Sequence, residues 1–352
     1  MKMKEKILLI ICALGVLTTS CSDFLDSKSQ DEVIPKTTKD FSELLLGSGY
    51  PSPINSHPLA LTGYMDDDVD TDLRNSMAGS DLAKGVFPVF TWQSDAERYE
   101  GSIMSPELAS TPYYLMYERI KGCNAVLDYL DDVTGTTEEK NDVKAQALAL
   151  RSFYYFHLVN MYGKPYSADK NALGVPLKLG SKLATTSVPR STVGEVYEQI
   201  VKDLLEAERL MKTLSGEVQV RRNKRVNLPF IQLLLSRVYL YMENWQKAME
   251  YAEMVINDYD YSIKDLNAVA EPDRNNSVSY PLYQTWDNPE VIFMLGDLND
   301  VISLAITSVR GSVIVGGRPI NKSMIVCVAS DDLINSYTPN DLRKTRYLVW
   351  ES

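Results

Sequence analysis

Catalysis at neutral pH usually draws on histidine, an activated nucleophile or a metal set, and this sequence of 352 residues is poor in all three. Its only histidines are His57, in the proline-flanked loop Asn55-Ser56-His57-Pro58, and His157, inside an aromatic run. No Ser-His-Asp order, phosphate-binding glycine loop, HExxH or CxxC occurs. The acidic run Asp66-Asp67-Asp68-Val69-Asp70-Thr71-Asp72 offers oxygen ligands of the calcium type. An EF-hand loop needs Gly at its sixth place and Glu at its twelfth, and here Thr71 and Met77 stand there. The run therefore reads as a solvated loop or a helix start. Paired carboxylates for glycoside hydrolysis have no motif behind them. The sequence predicts a protein that is not an enzyme and holds no metal or cofactor. A net charge of −11 argues against a nucleic-acid partner.

One cysteine carries chemistry of another kind. Lys2, Lys4 and Lys6 precede an apolar run at 7–17. That run is shorter than the roughly 20 residues a spanning helix takes, so residues 1–20 read as an export signal. Cys21 follows Thr18-Thr19-Ser20, the setting of a bacterial lipoprotein cleavage site, although Thr18 stands where an aliphatic residue is usual. Lipidation of Cys21 is the expectation, and plain secretion with Cys21 unmodified is the alternative. Cys12 leaves with the signal. Cys123 and Cys327 remain, far apart and in apolar contexts. They fit buried free thiols, and a disulfide between them stays open in an oxidising compartment.

Elements to position a site come next. Residues 22–38 are polar and read as a tether, and 39–352 as one helical domain. A short helix is expected at 40–46, a loop-rich insertion at 47–112, and helices at 112–130 and from Thr137 to position 162. A further helix at 191–214 opens on Ser191-Thr192-Val193-Gly194-Glu195, a capping start. A tight hairpin joins 228–242 to 245–257, and β-branched residues at 302–315 suggest short strand pieces. In Leu148-Ala149-Leu150-Arg151-Ser152-Phe153-Tyr154-Tyr155-Phe156-His157-Leu158-Val159-Asn160-Met161-Tyr162, apolar groups fall on nearly every helical face. Such a helix is buried on several sides, with Arg151 and His157 in core or rim roles. Ser236, Tyr239, Trp245 and Ala248 follow the small–aromatic–aromatic–small spacing of tetratricopeptide units. Residues 112–162 form an earlier antiparallel pair. The fold class is mainly α, a tetratricopeptide-like helical repeat scaffold with loop-rich insertions and a few short strands.

The segment 150–165 closely resembles the characteristic helix of the SusD/RagB family. Tyr117-Glu118-Arg119-Ile120-Lys121-Gly122-Cys123-Asn124, Gly174-Val175-Pro176-Leu177, Pro189-Arg190-Ser191-Thr192, Leu235-Ser236-Arg237-Val238-Tyr239 and Asn288-Pro289-Glu290-Val291-Ile292-Phe293 resemble it too, in order along the chain. Cys21-Ser22-Asp23-Phe24-Leu25-Asp26 looks like the family's mature start. Asn227-Leu228-Pro229-Phe230 departs from it, since small residues usually open that helix. The chain also stops where members continue with further helices, so the resemblance implies that the C-terminal section is absent. It implies a nutrient-binding lipoprotein on the outer membrane, holding glycan and paired with a SusC-like TonB-dependent transporter. A tetratricopeptide-type surface adaptor for a protein or peptide partner is the alternative. Glycans are gripped by exposed aromatic faces, so Trp92 and Trp286, with Tyr283 beside the latter, are the ligand-binding candidates. Core packing remains open for each tryptophan. Trp245 is assigned to the repeat core, and Trp350 is set aside at the chain end.

Overall fold

The computed structural model describes residues 35–51, 65, 67–70, 87–99, 112–182, 186–269, 288–294, 313–315, 318–320 and 328–346. Among the described residues, six helices of eleven residues or more organise the unit Thr37–Ser352: α1 (Thr38–Ser48), α2 (Pro112–Tyr129), α3 (Thr137–Tyr162), α4 (Val193–Met211), α5 (Leu228–Tyr241) and α6 (Trp245–Asn257). Neighbours in sequence pack on one another. α3 has its largest contact with α4 and a further one with α2, α5 packs on α6, and α1 packs on α2. Short connections turn the chain back at 130–136 and 242–244, the arrangement of antiparallel helix pairs.

The helix starts follow from side-chain chemistry. Thr37, Thr136 and Thr192 each accept the N3 backbone N–H on their hydroxyl, while Asp40, Glu139 and Glu195 reach back to the cap's own N–H. These reciprocal pairs satisfy N–H groups that the helix leaves without partners, and each hydroxyl contributes about 1 kcal/mol. Asn227 caps α5, its Oδ1 accepting the Phe230 N–H at 2.9 Å, with Pro229 in the first turn. The departure from small residues at this point is thus a working helix start, and Leu228, Pro229 and Phe230 are all buried.

α3 is the centre of the core. From Ala145 to Phe156 every side chain is buried. Fully burying a large apolar side chain stabilises by about 1.5–3 kcal/mol. Its tyrosines also use their hydroxyls. Tyr154 donates to the Gly49 carbonyl at 2.7 Å, and Tyr155 donates to Lys178 O while accepting Lys178 N–H, both at 2.8 Å. Tyr117 on α2 donates to Pro176 O at 2.7 Å. A phenol at these positions fills the core and ties down a loop at once.

Arg151 is buried in this core. Its guanidinium takes both Asp203 oxygens on α4, at 2.8 and 2.9 Å, and donates to Asn124 Oδ1 on α2 at 2.8 Å and Leu179 O at 3.3 Å. One side chain therefore joins three helices and the 176–181 loop. His157 is partly buried, its ring edge-on to Phe153 at 4.5 Å. Cys123 is buried and free, and burial pushes its thiol up to about 12.

Two features differ from the sequence reading. The acidic run is neither a loop nor a helix start at Val69–Asp70. These residues form a strand, β1, whose antiparallel partner Val328–Ala329 lies far along the chain. Ser330 N–H donates to Asp68 O at 2.9 Å and extends the pairing. Val313–Val315 and Arg318–Ile320 make a second small ladder; residues 302–312 lie outside the described residues.

The second difference is Trp245. The α5–α6 pair is built as the repeat spacing predicts at Ser236 and Ala248, where the serine hydroxyl donates to the Ala248 carbonyl at 2.8 Å. The aromatic filling comes from Tyr239 stacked on Tyr251, with centroids at 5.8 Å. Trp245 is 62% exposed. α6 buries Ala248, Tyr251 and Val255. At about 100° per residue, position 245 lies roughly a quarter turn off that face, in a first turn with no earlier turn to cover it.

Candidate ligand-binding site

Phe87, Pro88, Val89 and Phe90 make one helical turn, with Pro88 and Val89 buried. The turn ends on two backbone bonds, Trp92 N–H to Val89 O at 3.1 Å and Gln93 N–H to Pro88 O at 2.9 Å. This is the Schellman closure, in which the residue after the cap adopts left-handed backbone angles and is most often glycine. Trp92 occupies that place with φ 54°. A Cβ in that region costs roughly 1–2 kcal/mol. The closure has no use for an indole, yet the indole is there and 63% exposed. Phe87 and Tyr99 are exposed on either side in sequence. Thr91 and Gln93 supply polar groups at the same place, Thr91 Oγ1 donating to Phe87 O at 2.7 Å and Gln93 Nε2 to Thr91 O at 3.3 Å. An exposed aromatic face, held on a short hydrogen-bonded turn beside amide and hydroxyl groups, can stack on a flat apolar ligand face and bond its polar edge.

A second aromatic surface lies where α3 ends and α5 turns into α6. Asn160, Tyr166, Ser167, Tyr241, Glu243 and Trp245 line a cleft of about 290 Å³. An adjoining cleft of about 400 Å³ shares Tyr166, Ser167 and Glu243 and continues past Lys170, so the two make one open groove. Its rings are braced from inside. Phe156 meets Tyr241 edge-on at 5.0 Å, and Tyr197 lies 4.9 Å from Tyr166. Tyr241 nonetheless stays 49% exposed. Burial pushes the Tyr197 phenol up to about 12, opposed by its hydrogen bond to Asn160 Oδ1 at 3.0 Å. It therefore stays a donor and fixes that amide at the groove edge. α5 closes as the Trp92 turn does, Glu243 N–H bonding Leu240 O and Asn244 N–H bonding Tyr239 O. Glu243, at φ 57°, holds the left-handed place. Among the described residues, Trp92 and Glu243 are the two non-glycine residues with positive φ, and each sits at one of these aromatic surfaces.

Of the residues singled out in the sequence, Trp92 is thus placed on an exposed turn. Cys21, Trp286, Tyr283 and Cys327 lie outside the described residues. Trp245 and Glu243 were missed as surface groups. Trp245 matches a repeat pattern that its position in the first turn overrules. Glu243 carries no sign in its residue type, since a left-handed helix stop is usually recognised by its glycine.

The model of the SusD-like family described as starch-binding and associating with the outer membrane matches residues 23–240, more than half of the chain. SusD-like protein P2 of Formosa agariphila is 26% identical over 200 residues, covering 55% of this chain and 37% of that protein. Among solved structures, a SusD superfamily protein from Bacteroides thetaiotaomicron superposes with a TM-score of 0.65 at 23% identity, over 87% of this chain and 63% of its own. Surface glycan-binding protein A from Bacteroides thetaiotaomicron, in complex with laminarihexaose, superposes with a TM-score of 0.58 at 18% identity, over 88% and 62%. The chain spans about a third of the length of its curated relative and three fifths of these structures. The match takes in α1 to α4 and nearly all of α5, including the aromatic helix on which the sequence resemblance rests, and the chain belongs to the SusD-like family.

Proposed function

We propose that this chain is a lipid-anchored surface protein that binds nutrient glycan and passes it to a SusC-like TonB-dependent transporter, without catalysing a reaction itself. Cys21 is the anchor in this reading, and the outer face of the outer membrane is the location. Trp92 is one stacking face for the sugar, with Trp286 and Tyr283 supplying another. The observation that carries the reading is Trp92 itself, a large exposed ring in a left-handed slot where the backbone favours glycine. Backbone strain of that kind concentrates where a side chain is needed for something other than folding. The family's starch-binding description and the laminarihexaose complex of a structural neighbour favour glycan as the ligand class.

Affinity gel electrophoresis through soluble polysaccharides tests the binding. Trp92→Ala should weaken retention and leave the melting temperature nearly unchanged. A large loss of Tm with unaltered retention would assign Trp92 to the core and remove the reading's main support. For the anchor, Cys21→Ala should move the protein from carbonate-washed outer membranes to the soluble fraction, because stable anchoring takes more than one acyl chain and a lipoprotein supplies several. Copurification of a transporter with the tagged wild-type chain tests the partner.

A further inference from the structure

We propose that the groove between residues 166–170 and the α5–α6 turn is a second carbohydrate site, built to take a neutral pyranose on Trp245. The ligand class rests on the glycan-binding reading; the location does not, since no residue of the Trp92 turn lines this groove. Three observations carry it. First, Trp245 is 62% exposed at the start of a rigid helix, where the α5–α6 pair leaves its ring uncovered. Second, the flanking rings are fixed before any ligand arrives, Tyr241 by Phe156 and Tyr166 by Tyr197. Fixed aromatic walls lose little freedom on binding. Third, two of the polar groups at the groove remain open for a ligand. The Ser167 hydroxyl and the Glu243 carboxylate have no intramolecular partner among the described residues, while Glu243 is held in its left-handed place by the helix closure. A carboxylate accepts two hydroxyl hydrogen bonds, and Ser167 can donate or accept one.

That set fits a sugar ring, with C–H groups on the indole and hydroxyls turned toward Glu243 and Ser167. A wholly apolar ligand would leave the carboxylate desolvated and unpaired, which is costly. An anionic sugar would meet Asp169 and Glu243, against Lys170 alone, in a protein of net charge −11. The groove is open along its length, so a longer chain can run through it. Exposed Leu240, Met249 and Ile256 continue the surface along the same hairpin, so a contact between copies of this chain is the competing occupant that the test must separate.

The test uses the full detergent-solubilised chain, titrated with laminarihexaose and maltohexaose and run through gels containing soluble neutral glucans. Trp245→Ala should weaken apparent affinity about fivefold for the glycan that wild type retains, from the loss of one aromatic contact. Its melt should stay unchanged. Trp245→Phe should keep part of the affinity, Glu243→Gln should weaken it, and Trp92→Ala combined with Trp245→Ala should weaken it further than either alone. If Trp92→Ala loses retention and Trp245→Ala matches wild type, the groove proposal fails and the glycan-binding reading stands. If wild type is retained by no glucan and bound by neither oligosaccharide, both fail. If Trp245→Ala converts a dimer to a monomer in sedimentation without changing retention, the groove is a contact between copies and the sugar site is refuted.

Discussion

Arg151 offers a quantitative test of how the scaffold is held. Its bidentate contact with Asp203 is almost wholly shielded from water, and Gln199 Nε2 also donates to Asp203 Oδ1 at 2.7 Å. Removing one member of such a pair strands the other charge, at a cost of about 3–5 kcal/mol. Arg151→Met leaves the Asp203 carboxylate with a single amide donor, and Asn124 Oδ1 loses its guanidinium. Unfolding entropy of about 2.1 cal/mol/K per residue gives roughly 0.7 kcal/mol/K for a chain of this length. The single variant should therefore lower Tm by about 4–7 °C. Asp203→Leu should do the same, because it strands the guanidinium. The double replacement Arg151→Met with Asp203→Leu removes both charges and fills the space with apolar atoms. It should recover most of the loss, since swapping a whole buried pair for packed apolar groups is often neutral. Differential scanning calorimetry on the wild type and the three variants closes the cycle. Equal losses that simply add in the double variant would show that the two charges act independently and would refute the reasoning.

Three further outcomes follow from particular contacts. A Cβ on Gly122 would press into the Ser48 backbone carbonyl where α1 crosses α2, so Gly122→Ala should cost about 1–3 kcal/mol by overpacking, read as a lowered urea midpoint. Cys123, its thiol pushed up to about 12 by burial, holds almost no thiolate at pH 8 and should escape iodoacetamide until the protein unfolds; peptide mass spectrometry that finds Cys123 alkylated in the native state would contradict this. Glu243→Gly relieves the left-handed strain of roughly 1–2 kcal/mol and gives back about 0.5–1 kcal/mol as glycine's own entropy cost, so Tm should rise by about 1–2 °C, and a lowered Tm would show that the carboxylate supports the fold.

Helices and their starts were legible because their causes are local. The capping start at 191–195 marks α4, and the 3.6 period with no glycine or proline inside marks α3 as buried all round, while α1 begins at Thr38, two places before the start expected at 40. The burial of Arg151 was legible only as a choice between core and rim. Its partners Asn124 and Asp203 lie 27 and 52 residues away, and no local pattern names them. The same holds for β1, two residues long and paired across most of the chain. Strand pairing over that distance leaves no mark in the strand's own neighbours, so the loop reading of the acidic run holds at the exposed Asp67 and Asp68 and fails at Val69–Asp70.

The abundance of tyrosine, 21 against 8 phenylalanines, was visible as a number but ambiguous in meaning, and the structure divides it by position. Tyr50, Tyr117, Tyr154 and Tyr155 are core groups whose hydroxyls reach a side chain or backbone group in a distant segment. Tyr50 does so twice, donating to Gln146 Oε1 at 2.6 Å and accepting Val226 N–H at 2.8 Å. Tyr166 and Tyr241 instead have one ring face on the core and one side toward the groove. The residue type is the same in both sets, and what differs is whether the polar tip ends on protein or on solvent. The segments matching the family between 117 and 195 fall mainly in the first set. They bind α2, α3, α4 and the 173–181 loop together, with Arg190 donating to Gly174 O at 2.6 Å and Leu173 O at 2.8 Å. Resemblance along those residues reports the scaffold, and the scaffold positions Tyr166 and Tyr241 by bracing their inner faces. Trp245 and Glu243 lie outside the matched helix and turn motifs and depend on how α5 happens to close. The ties in the core therefore do not decide by themselves which ring stands at the groove.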